Sequence, residues 1–197
     1  HYNGFGSAHN IAINENSGYA YAVGTQTYNG GAHFIDISNP VNPTSAGGYG
    51  ENGYSHDAMI VTYNGPDFDH KGKEIYIGSN EDEVVIVDVT DKSNPSFISS
   101  FQYSSTQFTH QGWLTEDHRY FLVGDELDEV QYGIYARTII LDFSDLDEDL
   151  SVDQVKEAPS GDSFLGQTSS HIAGAIYETK CSVRQCHNGS WISSVSY

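Results

Sequence analysis

Basic residues are scarce: eight Lys and Arg face 27 Asp and Glu in 197 residues, a formal charge of -19. Such an excess repels nucleic-acid phosphates and anionic lipid surfaces alike, so nucleic acid is excluded as a partner. It is compatible with cation binding, a saline setting or plain solubility. Long apolar runs are missing as well. No stretch reaches the roughly 18 uninterrupted apolar residues that mark a spanning helix, so no direct membrane insertion is expected. Residue 1 is His, with no basic segment and apolar run ahead of the first motif, which points to a processed product or a piece of a longer protein. Only two cysteines occur, Cys181 and Cys186, which either close a small disulfide loop or stay reduced. A zinc site there needs two more ligands, and the nearby His171 and His187 fall at no common zinc spacing. No G-x-S-x-G elbow, phosphate-cradling glycine loop, zinc-protease helix motif or paired C-x-x-C appears, so the sequence selects no catalytic residues.

What the chain does contain is a repeat. Its clearest copy runs from Ser55 to Pro95: Ser-His-Asp with an apolar run, a Gly/Asp/Lys loop, the strand pattern Glu74 to Gly78, the β-branched run Val84 to Val89, and a Thr-Asp-x-x-Asn-Pro turn. An earlier copy starts at Ser7-Ala8-His9-Asn10 and a later one at Thr109-His110-Gln111. The interval from His56 to Asp88 equals that from His110 to Asp142. Four strands per unit and a period of about 50 residues predict an all-β fold, a β-propeller-like array of four-stranded antiparallel blades. The expected blades cover about residues 7–50, 54–104 and 108–150 within a repeat domain of residues 1–164. Part of a fourth begins at Ser170-His171-Ile172, inside a degenerate or truncated segment, residues 165–197. Propellers need about 4–8 blades to close, so the array is incomplete and its open edges call for a cover.

The phrases SAHNIAINENSGYAYAVG, SHDAMIVTYNGPDFDHKGKEIYIGSNEDEVVIVDVTDKSNP and THQGWLTEDHRYFLVGDELDE resemble the bacterial choice-of-anchor B proteins. That family is built of LVIVD-type repeats, seen here as VVIVDVTD, and the resemblance covers about residues 7 to 150. It implies an exported, surface-held or released β-propeller-like protein with a varied carboxy-terminal anchor. It carries no activity with it.

Three sets of residues are candidates for a site. His9, His56 and His110 each open the expected innermost strand of a blade, where one imidazole per blade would converge on a channel and hold a ligand or metal, with Asp57 beside them. The competing structural role is blade-to-blade hydrogen bonding. The loop Asp67-Phe68-Asp69-His70-Lys71-Gly72 has the start of a calcium loop, with Asp67 and Asp69 as ligands, but lacks the glutamate at the twelfth position. The acidic runs Glu81-Asp82 and Asp125-Glu126-Leu127-Asp128 follow the second strand of their blades and would gather on one face, where calcium is the expected ion. Asp36, Asp88 and Asp142 read as turn-makers through Asx hydrogen bonds. Trp113, Tyr19, Tyr21, Tyr54 and Tyr63 are expected between blades. Ser7, Ser55 and Thr109 precede the histidines but should point to the opposite face, which makes them poor nucleophiles for these imidazoles.

The resulting expectation is an extracellular or cell-surface binding and assembly module, calcium-assisted and self-associating. Its partners would be a protein or glycan at the cell surface or copies of itself. The alternatives are a metal-dependent hydrolase using the channel histidines and a purely structural surface protein.

Overall fold

The computed structural model describes residues 1–135, 137–147 and 151–157. Among these residues twelve strands form three sheets. In the first lie β1 (Asn10–Asn14), β2 (Tyr19–Val23), β3 (Ala32–Asp36) and β4 (Thr44–Tyr49). The second holds β5 (Asp57–Thr62), β6 (Glu74–Ser79), β7 (Val84–Asp88) and β8 (Ser96–Phe101). Strands β9 (Thr109–Leu114) and β10 (Tyr120–Asp125), the five-residue helix α1 (Asp128–Tyr132), β11 (Arg137–Asp142) and β12 (Ser151–Glu157) complete the third. Each sheet is a four-stranded antiparallel meander in chain order. The first strands lie beside one another, β1 against β5 and β5 against β9. The fold is therefore all-β and propeller-like, an open array of three blades whose His-bearing strands face inward. The expected start of a fourth blade, and Cys181 and Cys186, lie outside the described residues.

Hydrophobic patterning explains the stacking. Strand β7 reads Val-Val-Ile-Val because both its faces are covered, and all four side chains are fully buried. Val84 and Ile86 join a cluster with Leu114, Phe121, Val123 and Leu141 of the third sheet, while Val85 and Val87 join Tyr21, Val23 and Phe34 of the first. Each such side chain contributes on the order of 1.5–3 kcal/mol on burial. In β2 the alternation is sharper: Tyr21 and Val23 face the second sheet, whereas the small Ala20 and Ala22 face a separate cluster with Tyr2 and Phe5. The expected packing of Tyr21 and Tyr63 between blades is seen. Trp113 instead is exposed, because its neighbour Leu114 takes the core side of the strand.

The repeat reaches down to local details. Asp36, Asp88 and Asp142 accept hydrogen bonds from the backbone N–H of Ser38, Thr90 and Ser144 at 2.9, 3.0 and 2.9 Å, closing an Asx turn at the end of the third strand of each blade. The pairing of third and fourth strands slips at the same place in every sheet, between Phe34 and Ile35, Ile86 and Val87, and Ile140 and Leu141. Such a bulge adds local twist, which helps successive sheets fan about an axis.

Blades are joined by buried polar groups as well as by apolar clusters. Glu74 of β6 accepts from Asn14 Nδ2 at 2.8 Å, from Ser17 Oγ at 2.6 Å and from Lys92 Nζ at 2.7 Å. Between the second and third sheets, Tyr63 OH donates to the Phe143 carbonyl at 2.8 Å and Ser99 Oγ to that of Leu146 at 2.6 Å.

Candidate functional site

The inner edge gathers the repeated histidines. His9 enters β1 through a backbone hydrogen bond from its N–H to the Val23 carbonyl, 2.9 Å, and His56 enters β5 through one to Ser79, 2.8 Å. Gly24 permits the first approach: it sits at φ +63°, and a Cβ there would collide with the Cβ of His9. His110 lies within β9.

The three rings form a column. His9 and His56 have centroids 3.9 Å apart at an interplanar angle of 43°, and His56 and His110 lie at 4.4 Å and 37°. Phe108 meets His56 edge-on at 5.1 Å. His56 Nδ1 lies 3.2 Å from the His110 carbonyl, an acceptor only, so that nitrogen carries the proton and Nε2 keeps its lone pair. His110 Nε2 lies 3.5 Å from Glu126 Oε2, the residue that follows β10. Burial lowers the pKa of His56, partly countered by the hydrogen bond to His110 and reinforced by the neighbouring imidazoles. Burial also lowers that of His110, against the pull of Glu126. Both rings are thereby biased toward the neutral form, in which imidazole is a ligand.

Asp57 sits one residue along β5. Its Oδ1 accepts from Asn10 Nδ2 at 2.6 Å and from the Ala58 N–H at 2.8 Å. Burial pushes its carboxyl up to about 6, more than Ala58, His9 and Asn10 bring it down. The hydroxyls preceding the histidines point elsewhere: Ser55 is buried against Asn80 and Tyr76, Thr109 lies beside Tyr103 OH, and Ser7 bonds Gln26.

The acidic candidates are spread over several roles. Asp67 accepts the Asp69 N–H at 3.0 Å and the Leu146 N–H at 2.9 Å, while Asp69 itself is exposed. Glu81 and Asp82 are exposed in the β6–β7 turn, where the Glu81 carbonyl receives the N–H of Thr109. Asp125 is fully buried and accepts from Tyr103 OH, Gln107 N, Phe108 N and Leu127 N at 3.0, 2.8, 3.2 and 3.1 Å. Asp128 is buried too, forked by Arg137. Glu126 alone of this group joins the histidines.

Among the described residues two groups of three potential ligands converge, each with its ligand atoms within 4.8 Å of one another. One is His56, His110 and Glu126; the other is Asp67, His70 and Asp147. Sequence reasoning did not single out His70 or Asp147. They meet at 2.8 Å across 77 positions, a contact that no local spacing announces.

Two segments match the LVIVD repeat family model, residues 5–50 and 71–102. Both segments are similar to LVIVD repeats. The first match takes in the whole first sheet and the second takes in β6 to β8; the third sheet repeats the topology of the LVIVD units outside both matches. A crystal structure of a protein from Lactobacillus plantarum superposes with a TM-score of 0.53 at 15% identity, over 78% of this chain and 43% of that one. A crystal structure described as the eukaryotic initiation factor gives 0.48 at 10% identity, over 78% of this chain and 32% of its own. The chain thus spans less than half the length of either structure, and at 15% identity the Lactobacillus likeness is one of fold alone. No curated protein matches the chain.

Proposed function

We propose that this LVIVD-repeat scaffold is an extracellular or cell-surface binding module whose binding surface is the inner edge of the blades. One observation carries the reading: three separate sheets deliver the same side chain to one place, with ring centroids 3.9 and 4.4 Å apart. His56 Nδ1 does bond the His110 carbonyl across one blade boundary, but further joints lie elsewhere, in apolar clusters and at Glu74, Tyr63 and Ser99. Conserving the scaffold would not require imidazoles at this position in every unit. The surface setting rests on the resemblance of residues 7 to 150 to choice-of-anchor B proteins. Partners of the expected kind are a protein or glycan of the cell surface, or another copy meeting the open array.

The test is a thermal-shift panel of calcium, divalent transition metals, cell-surface glycans and purified copies of the chain, run on wild type, His56→Asn and His110→Asn. The reading expects both variants to fold and to lose a stabilisation that wild type shows. Collapse of both variants without any ligand would assign the histidines to blade joining instead.

A further inference from the structure

The geometry points to His56, His110 and Glu126 as a site for one divalent transition-metal ion, with a coordination position left open toward the binding surface. This inference rests on the inner edge being that surface, and it names what binds there.

The donor set decides the metal class. Two imidazole nitrogens and one carboxylate oxygen suit zinc and its neighbours in the first transition row, whereas calcium and magnesium take oxygen ligands almost throughout. His56 is already oriented for the role, because its Nδ1–H is held by the His110 carbonyl at 3.2 Å and its Nε2 is the nitrogen left for a metal. A ligating histidine ordinarily donates its other N–H to a carbonyl or carboxylate in this way. The ring is clamped between His9 and His110, with Phe108 at its edge, which fixes its plane.

The ligand atoms lie within 4.8 Å of one another. A tetrahedral site with bonds of about 2.0–2.1 Å needs them roughly 3.3 Å apart, so the set must draw inward by about an ångström. Glu126 Oε2 already lies 3.5 Å from His110 Nε2, close to that spacing, and its side chain, 39% exposed, is free to follow as the separation from His56 closes. Three protein ligands leave the fourth position to water or to a donor from a partner, the arrangement of an open rather than a closed site. The excess of 27 acidic over eight basic residues favours cation approach. The other convergent group lacks this readiness: the Lys73 ammonium lies 3.4 Å from His70 Nδ1 and can only donate, so Nε2 carries the proton it gives to Asp147 at 2.8 Å, and Asp67 holds two backbone N–H groups.

The experiment uses the tag-free chain stripped with chelator, titrated with zinc chloride and cobalt chloride, with calcium chloride as the contrast. Expected are saturable uptake of zinc and a visible cobalt absorption of the N/O-ligand type, both lowered more than about tenfold by His56→Gln, His110→Gln or Glu126→Gln, since even outer-sphere partners are worth about 10–100-fold. His70→Gln and Asp147→Asn should bind as wild type does. Should a histidine variant fail to fold, the ring-nitrogen resonances of wild-type His56 and His110 must still shift on zinc addition. No saturable uptake, uptake insensitive to all three variants, or unmoved His56 and His110 resonances would overturn the metal site. A His56→Asn-sensitive response to a glycan or a second copy, with no metal uptake, would remove the metal and leave the binding surface standing.

Discussion

The imidazoles of His9 and His56 stack at 3.9 Å although one enters the first sheet and the other the second. Because the two rings meet across a blade boundary, their contact reports on blade packing independently of any ligand. A double-mutant cycle of His9→Ala and His56→Ala, read by urea unfolding, should give a coupling of about 0.5–1.5 kcal/mol. Additive effects would mean that the rings sit together without holding each other.

Lys92 reaches Glu74 at 2.7 Å in a place where both side chains are nearly buried. Burial alone would raise the carboxyl, but hydrogen bonds from Lys92, Ser17 and Asn14 outweigh it and hold the pKa below its ordinary value. Lys92→Met strands the charge and should cost about 3–5 kcal/mol. The double variant with Glu74→Gln should recover much of that loss, as read from denaturation midpoints. A depressed carboxyl contributes stability that is full above its unfolded pKa and is lost as pH falls through its folded one, so the Glu74 contribution should fall away only as pH drops below the ordinary glutamate value of 4.5.

Arg137 forks onto Asp128 and also donates to the carbonyls of Ser104 and Ser105 at 3.1 Å each. A lysine has the charge without the planar fork. Arg137→Lys should lower stability by about 1–3 kcal/mol, measured by thermal unfolding. An unchanged midpoint would show that charge alone suffices at this site.

His118 Nδ1 accepts the Asn64 N–H at 3.1 Å, linking a turn of the third sheet to one of the second. Burial lowers the pKa of this ring, against the pull of Asp117. The neutral form is therefore favoured in the folded state, and protonation would remove the acceptor. A group depressed on folding in this way stabilises above its unfolded value of 6.5 and loses that contribution as pH falls below it. His118→Asn, which keeps an acceptor but cannot titrate, should flatten the fall in stability as pH drops below 6.5 by about 1 kcal/mol, seen in midpoints taken on both sides of that pH.

Much of the scaffold was legible because its signals are local. Val84 to Val87 announces a strand covered on both sides, and Asp36, Asp88 and Asp142 mark turns that need only a backbone N–H two residues on. The histidine column followed from the repeat itself: equivalent positions in equivalent blades face one axis. Harder to read was which carboxylate would meet it. Asp67 fits the start of a calcium loop and Asp125 stands in an acidic run, yet their oxygens hold backbone N–H groups in the structure. Glu126 gains its place from the return of β10 alongside β9, a non-local event. Trp113 went astray for a related reason, since only one side of an inner edge strand faces the core.

The register slip shared by all three sheets sits just before the Asx turn, at residues such as Phe34, Ile86 and Leu141 that belong to the inter-blade core. A unit carrying its own source of twist brings its geometry with it when copied. Gene duplication can then lengthen the row without redesigning any joint, and the curvature of a longer assembly is set unit by unit rather than by whatever encloses it.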